Sequence, residues 1–158
     1  MKTRRIPLTR GLFAIIDATD YQRIAAHKWY ANKCGSRFYA RRSTPRTRLC
    51  PRKKVPMHRD ILNFPLERID HSNRNTLDNR RCNLRLATSS QDSANRRRAT
   101  NNRSGIKGVC YEQRKRRWRA LIQCLGRRHH LGYFSDLADA ARAYQQAAKE
   151  FFKEFARP

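Results

Sequence analysis

The fold is decided by residues 69–95, which read IDHSNRNTLDNRRCNLRLATSSQDSAN. The stretch begins with the pair Asp70-His71 and continues through a polar loop over 72–81, which is too rich in Asn, Asp and Arg to be packed core. At 83–87, NLRLA, polar and apolar side chains alternate as they do in a short strand. The sequence therefore predicts two strands separated by a polar loop.

A helix is predicted directly after these strands. Thr88 is followed three residues later by Gln91, the spacing of a capping box, in which the two side chains bind backbone N–H groups at a helix start. Asp92 belongs to the start of that helix. The pattern is thus strand, loop, strand, helix, with an Asp-His pair at one end and a carboxylate on the helix at the other.

This stretch resembles the ββα-metal motif of HNH nucleases, in the phage and intron homing-endonuclease branch, whose usual run is close to DHxNxNxLDNRxxNLRxATxxQN. The resemblance implies that Asp70 binds a divalent metal and that His71 is the general base. It also implies that Asn83 braces the loop and His71, and that Asp92 supplies the second metal ligand. The branch more often has Asn at the position of Asp92, and the carboxylate here keeps an oxygen ligand.

The chemistry of phosphodiester cleavage agrees with these residue types. A neutral histidine with a pKa near neutrality can take a proton from water. A hard cation held by two acidic side chains, with water and phosphate in its remaining positions, is typical of Mg²⁺ or Mn²⁺ and not of zinc. The alternative is that Asp70-His71 is a surface dipeptide and that Asp92 is a charge favoured by the helix dipole.

The composition of the chain indicates a polyanionic partner. The 158 residues include 37 Lys plus Arg and 12 Asp plus Glu, a formal net charge of +25. Double-stranded DNA is the expected partner, and its binding should depend strongly on salt. No membrane is expected, because no apolar run reaches spanning length and MKTRRIPLTRG lacks the apolar core of a signal peptide. No small-molecule cofactor is expected.

The five cysteines predict a reducing compartment. They are odd in number and widely spaced, and none forms a CxxC pair, which disfavours a zinc ribbon. Scattered free thiols are typical of intracellular proteins, and we expect the cytoplasm of a bacterium or a phage-infected host.

The segment before the motif is predicted to be β-rich. Its leader, IPLTRGLFAIID, is similar to those of related phage endonucleases, and Trp29 and Tyr39 are expected in the core, with base stacking as the alternative. The run over 55–62 resembles a short helix of the same branch, with Met57 facing inward. His58 in that run is interpreted as a structural or phosphate-contacting histidine and not as a further catalytic group.

The last third predicts a second module. Strands are expected at 108–112, 118–124 and 127–134, followed by a long amphipathic helix with Ser135 as N-cap. SGIKGV, the strand around Trp118, LGYF and LADAARAYQQAAKEFF resemble the APETALA2-type DNA-binding domain, in which the sheet lies in the major groove. The resemblance, together with alternation along the strands, predicts a DNA-contacting set: Lys107, Arg117, Arg119, Gln123, Arg128 and His130. Arg97, in the basic run after the predicted nuclease helix, is added to it.

The predicted fold class is α+β: a ββα-metal nuclease unit followed by a three-stranded antiparallel sheet with one helix. The expected divisions are a β-rich segment at 1–54, the nuclease unit at 55–98, a linker at 99–104 and the DNA-binding domain at 105–158. The leading hypothesis is a metal-dependent homing endonuclease that nicks or cuts duplex DNA, as a monomer or homodimer. The rivals are a non-catalytic, transcription-factor-like DNA-binding protein and a basic RNA-binding protein.

Overall fold

The computed structural model describes residues 2–48, 50–95 and 101–156 and divides the chain into two compact units, Met1–Leu86 and Ala87–Pro158. This division describes packing, and the domain boundaries given above stay predictions. Arg97 and part of the expected linker lie outside the described residues. Within the described ranges, no helix is both long and apolar enough to cross a membrane.

The first unit is built from short strands and two single-turn helices. Its elements are β1 (Thr3–Pro7), β2 (Phe13–Asp17), α1 (Tyr21–Ala25), β3 (Tyr30–Cys34), β4 (Arg37–Ser43), β5 (Lys54–Pro56), α2 (Met57–Ile61), β6 (Arg68–His71) and β7 (Leu84–Ala87). Strands β1 and β2 form an antiparallel pair, β3, β4 and β5 form an antiparallel sheet, and β6 pairs with β7. Strand β3 has no counterpart in the prediction from sequence.

The core of the first unit is apolar and tightly closed. Ile16 of β2, Ile24 of α1 and Met57 and Ile61 of α2 are fully buried, and Met57 faces inward as predicted. Trp29 is also buried, and its indole Nε1 donates to the Ile24 carbonyl oxygen at 2.7 Å. The expectation that Trp29 is core is confirmed, since a buried indole with a satisfied N–H is a structural residue.

Buried aspartates in the first unit are matched by arginines. Asp60 accepts from Arg23 at 2.7 Å and from Arg42 at 2.9 Å. Asp20 accepts from both Arg23 and Arg81, and the hydrogen bond from Arg81 holds the pKa of the Asp20 carboxyl below its usual value. Because a buried carboxylate is costly unless it is paired, these ion pairs link α1, α2 and the chain before β7.

The second unit consists of α3 (Ser89–Asn95), β8 (Val109–Glu112), β9 (Arg117–Cys124), β10 (Arg127–Phe134) and α4 (Leu137–Phe152). The three strands form an antiparallel sheet in the order β10-β9-β8. One face of the sheet, through Ala120 and Ile122, packs with Tyr144 and Phe152 of α4 in a single apolar cluster. The predicted strands and long helix are therefore present, with the central strand where alternation placed it.

Helix α4 begins one residue later than predicted. Its N-cap is Asp136, whose side chain accepts from the Ala138 backbone N–H at 3.1 Å, so the expectation that Ser135 is the N-cap was wrong. Both residues can cap a helix, and the sequence alone does not distinguish two adjacent capping side chains. The carboxylate also adds a favourable charge at the positive end of the helix.

Gly108 is a position that only glycine can occupy. Its φ is +72°, and a Cβ atom there would collide with the Tyr144 ring and the Leu121 carbonyl oxygen. Replacing it with alanine combines an unfavourable backbone conformation with overpacking at the sheet–helix junction.

We predict that Gly108→Ala lowers the free energy of unfolding of the second unit by about 2 kcal/mol or more. Hydrogen–deuterium exchange of peptides from 105–156 measures this as faster exchange. Gly126→Ala is the matched control, because Gly126 has a similar φ of +78° but open space around its Cα. Equal effects of the two substitutions would contradict the packing argument.

Candidate active site and nucleic-acid interface

Asp70 and His71 end strand β6 and are both buried, at 7% and 5% exposure. They are therefore not a surface dipeptide, the alternative raised from the sequence. The Asp70 Oδ2 atom accepts from Arg85 of β7, at 2.9 Å from Nε and 2.8 Å from Nη2. This ion pair compensates the buried charge of Asp70 and links strand β6 to strand β7.

The polar loop between β6 and β7 is partly buried, contrary to the expectation that it was too polar to be packed. Thr76, Asp78 and Asn79 are exposed by only 6%, 2% and 1%. The prediction failed because the loop satisfies its own polar groups, so burial carries little penalty. Asp78 accepts from the Arg80 side chain at 2.8 and 2.6 Å and from the Asn73 amide at 2.8 Å.

Asn83 is the last residue of this loop, directly before β7. Its Nδ2 donates to the Asp78 carbonyl oxygen at 2.7 Å, and its Oδ1 accepts from the Asn73 backbone N–H at 2.9 Å. The Asn83 carbonyl oxygen also accepts from the Ser72 N–H at 2.8 Å. Three hydrogen bonds from one residue therefore fix both ends of the loop, directly after His71.

Asn79 is a site residue that the sequence reasoning missed. Its Oδ1 lies 3.4 Å from Nε2 of His71, a long hydrogen bond between two buried side chains. The Asn79 backbone N–H donates to the Ile15 carbonyl oxygen at 2.7 Å, which anchors it to β2. The signal available in the sequence was its place in the LDNR run, which the resemblance contains without giving Asn79 a role.

Two further rings surround His71. The His58 ring, from α2, lies 5.2 Å from the His71 ring in an edge-to-face arrangement. Tyr39, from β4, lies 6.3 Å from His71 and 6.1 Å from His58, again edge to face. Tyr39 is half-buried and not part of the apolar core, so the expectation for this residue was wrong. The reason is that Tyr39 lies on the face of β4 opposite to buried Ala40.

Burial keeps both imidazoles neutral at ordinary pH. It lowers the pKa of His58 to about 3, with smaller contributions from the nearby His71 and from the charges of Arg59 and Arg41. Burial also lowers the pKa of His71, against which the hydrogen bond with Asn79 and the charge of Asp70 raise it. A neutral imidazole is the form that accepts a proton from water.

The donor atoms available at Asp70 limit the kind of metal site that is compatible with this chain. Within the described residues, no group of three or more His, Cys, Asp or Glu side chains is arranged to hold a metal ion. A zinc-type site of several protein ligands is thus not formed there. Mg²⁺ is usually held by one or two carboxylates together with water and substrate phosphate, and a buried carboxylate beside a neutral imidazole fits that requirement.

The second predicted ligand lies on helix α3, which begins as the sequence indicated. The Thr88 backbone N–H donates to Gln91 Oε1 at 2.8 Å, and the Gln91 N–H donates to Thr88 Oγ1 at 3.2 Å, a complete capping box. Asp92 lies in the first turn of this helix and belongs to the second compact unit. Its pairing with Asp70 at one metal stays a prediction.

The outer face of the second unit's sheet carries most of the predicted DNA-contacting set. Arg117, Gln123, Arg128 and His130 are exposed, and Arg128 lies opposite Gln123 in the β9–β10 pairing. Arg119 lies on the same face, half-buried between Cys110, to whose Sγ it donates at 3.5 Å, and Glu112 at 3.4 Å. DNA contacts by these residues stay predictions.

Lys107 has a structural role besides its predicted one. Its ammonium group donates to the backbone carbonyl oxygens of Ser93 and Ala94 in the last turn of α3. A cation at that end of a helix satisfies otherwise unpaired carbonyl groups and is favoured by the helix dipole. Lys107 therefore joins α3 to the loop before β8.

A β-bulge adds Tyr133 to the outer face. The register of β10 shifts between His130 and Gly132, so Tyr133 lies opposite Arg119 and not on the face of His129 and Leu131. The Tyr133 ring lies 4.7 Å from the His130 ring. Strict alternation along 127–134 could not predict this, because a bulge reverses which residues face outward.

The depressed pKa of His58 predicts a pH dependence of stability. In the unfolded chain the imidazole titrates near its ordinary value of 6.5, whereas the folded chain keeps it neutral down to about 3. Below 6.5 the unfolded state therefore binds more protons, and the free energy of unfolding falls as pH falls, by up to about 1.4 kcal/mol per pH unit for this group.

We expect His58→Gln to reduce that slope between about pH 6.5 and about pH 5, above the range in which carboxylates titrate. Urea unfolding at several pH values measures it. His27→Gln, at an exposed histidine of the same unit, is the matched comparison, and the reduction in slope should be larger for the buried His58. A wild-type slope in the His58→Gln protein would contradict the assignment.

Comparison with known proteins agrees with the motif. The chain is 27% identical over 156 residues to an uncharacterized HNH endonuclease of Acanthamoeba polyphaga mimivirus, covering 94% of this chain and 75% of that protein. It is 28% identical over 110 residues to protein 3.8 of Escherichia phage T7, covering 68% of this chain and 89% of that protein. No protein-family profile and no solved structure matches the chain. The mimivirus relative supports the HNH resemblance at the level of the family, and the APETALA2 resemblance finds no support among these proteins.

Proposed function

We propose that this chain is a metal-dependent endonuclease of the HNH kind that hydrolyses phosphodiester bonds in duplex DNA. The observation that carries the proposal is the buried Asp70-His71 pair at the end of β6, with the neutral imidazole held beside Asn79. The similarity to a mimivirus protein named as an HNH endonuclease supports it. We further propose that cleavage is directed to a specific DNA site, as in homing endonucleases.

The residues would divide the work as follows. His71 accepts the proton of a water molecule whose oxygen attacks the phosphorus, and the bond from phosphorus to the leaving oxygen breaks. Asn79 positions the His71 ring, and Asn83 holds the loop that carries Asn79. Asp70 would hold Mg²⁺ or Mn²⁺ together with water and substrate phosphate, and the bound cation would stabilise charge on the phosphate and the leaving oxygen.

The positive charge supplies the affinity for DNA that such a reaction requires. A formal net charge of +25 favours contacts with phosphate, and the outer face of the β8–β9–β10 sheet displays arginines together with the amide of Gln123 and the ring of His130. Side chains of these types can bind both phosphate and base edges in a major groove wide enough for strands. We propose that this face binds duplex DNA.

We expect purified protein with Mg²⁺ to convert supercoiled plasmid to nicked or linear DNA. His71→Ala should lower the single-turnover rate by about 10²-fold or more, because the general base is lost, and EDTA should abolish cleavage. His27→Ala, at an exposed histidine of the same unit, is the matched control and should cleave like wild type. Cleavage that survives His71→Ala would remove His71 as the base. DNA binding with no cleavage at any metal concentration would favour the non-catalytic DNA-binding protein.

Binding by the sheet has its own test. Arg128→Ala should weaken binding to duplex DNA and lower the slope of log K against log salt by about one, if Arg128 contacts a phosphate. Arg142→Ala is the control, because Arg142 is exposed on α4 and paired with Asp139, and α4 packs on the other face of the sheet. Fluorescence anisotropy over a salt series measures both. Equal losses for the two variants would mean that the outer face has no special role.

A further inference from the structure

Strand β4 presents two different rows of side chains. Phe38 and Ala40 face the apolar core, and Arg42 continues that row to the buried carboxylate of Asp60, 2.8 Å away. Arg37, Tyr39 and Arg41 alternate with them and form the opposite row, which we call the β4 arginine row. The core-facing row holds the sheet in place, and the arginine row faces away from the core.

The β4 arginine row lies beside the two buried imidazoles. Its central ring, Tyr39, is 6.3 Å from the ring of His71 and 6.1 Å from that of His58. The two arginines flank Tyr39 at a spacing of two residues along the strand, about 7 Å on either side. Their positive charges also act on the imidazoles: that of Arg37 lowers the pKa of His71, and that of Arg41 lowers the pKa of His58.

Arg41 has an unmet hydrogen-bonding group at this place. Its Nε atom is buried, and within the described part of the chain it has no hydrogen-bond partner. A buried charged donor without an acceptor is unfavourable, and a bound anion is one partner that can satisfy it. A negatively charged oxygen placed beside Arg41 would satisfy this group and its charge together.

Phosphate is the anion that best fits these groups. Guanidinium groups bind the oxygens of phosphate and of carboxylate through two parallel hydrogen bonds, so the nature of the larger partner decides between the two anions. The chain as a whole favours nucleic acid over small anions because of its charge of +25. A phosphodiester of the DNA backbone can reach the half-buried strand that Arg41 and Arg37 occupy.

We propose that Arg37 and Arg41 of β4 bind the DNA phosphodiester that lies beside His71, so that the arginine row is the phosphate-binding part of the active site. This rests on the proposed function, since the bound phosphate is the one to be cleaved. Arg41 and Arg37 are then substrate-binding residues of the first unit, separate from the DNA-binding sheet of the second.

The experiment compares Arg41→Ala and Arg37→Ala with Arg5→Ala in the full chain. Arg5 is exposed on β1. Its replacement by alanine removes the same charge from the same unit, so Arg5→Ala is the matched control. Binding to a short DNA duplex is measured in EDTA over a salt series, and single-turnover cleavage of plasmid is measured with Mg²⁺. Circular dichroism establishes that each variant is folded, and Arg41→Lys replaces Arg41→Ala if the alanine variant is not.

We expect each β4 variant to lower the salt slope of binding by about one and to lower the cleavage rate at saturating protein by at least about tenfold. Arg5→Ala should leave the saturated cleavage rate unchanged. Arg41→Lys should retain the salt slope but cleave more slowly than wild type, because an ammonium group keeps the charge and loses the two-pronged geometry. Inorganic phosphate at millimolar concentration should not compete, whereas unlabelled duplex should.

Two results would overturn the inference. One is wild-type cleavage and binding by Arg37→Ala and Arg41→Ala, and the other is an equal loss in Arg5→Ala, which would mean that only total charge matters. If inorganic phosphate competes as well as duplex, the row is a free-phosphate site and the proposal is wrong about the ligand. If wild type binds DNA but never cleaves it, the proposed function fails, while the binding slopes in EDTA still decide whether the row contacts phosphate.

Discussion

The buried carboxylate of Asp78 is the constraint on which the rest of the first unit depends. It lies in a loop of polar residues that would otherwise remain in solvent, and it is 2% exposed. The side chain of Arg80 lowers the pKa of the Asp78 carboxyl and keeps it ionised, so that it can accept hydrogen bonds from Arg80 and Asn73 together. With this charge satisfied, the loop can pack between β6 and β7 and can hold Asn79 against His71.

Burial of acidic side chains in the first unit is coupled to pairing with arginine. Among the described residues, five aspartates are buried, all of them in the first unit. Asp20, Asp60, Asp70 and Asp78 each accept from at least one arginine side chain. The pairs at Asp20, Asp60 and Asp70 link segments distant in sequence, whereas Asp78 pairs with Arg80 inside one loop. The arginines that pair with these aspartates offset their charges, and the formal net charge of +25 is carried by the remaining basic residues. Such a charge attracts phosphate groups.

The sequence predicted the elements whose signals are local. The capping box at Thr88 and Gln91, the strand predicted at 83–87 and the long helix predicted after Ser135 depend on neighbouring residues. All three are present, the strand at Leu84–Ala87 and the helix at Leu137–Phe152. The sequence could not predict Tyr133 on the outer face, because the bulge before Gly132 arises from pairing with β9. The burial of Asp78 likewise depends on arginine and asparagine partners and not on hydropathy. Strand β3 was missed because Tyr30–Cys34 reads as polar, although its pairing with β4 is regular.

The candidate site was predictable in part for the same reason. Asp70 and His71 were found from a motif, and their burial agrees with a site and not with a surface pair. Asn79, His58 and Tyr39 come to His71 from a loop, a helix and a strand that are far apart in sequence, so no spacing in the chain indicated their meeting. A motif predicts the residues that must be neighbours along the chain, whereas the groups that tune an imidazole are contributed by the fold.

The arrangement of charges around the imidazoles links binding with chemistry. A nuclease must attract a polyanion, which calls for cations, and it must keep its base unprotonated, which nearby anions oppose. Burial meets the second need by lowering the pKa of His58 and His71, and the guanidinium charges of Arg41 and Arg37 act in the same direction. On the proposed function, therefore, the cations that hold the phosphate also favour the neutral imidazole before the phosphate arrives. A carboxylate that paired with Arg37 and Arg41 would raise the pKa of the nearby imidazoles and so oppose the second requirement. The Asp70 carboxylate is instead paired with Arg85 from the adjacent strand.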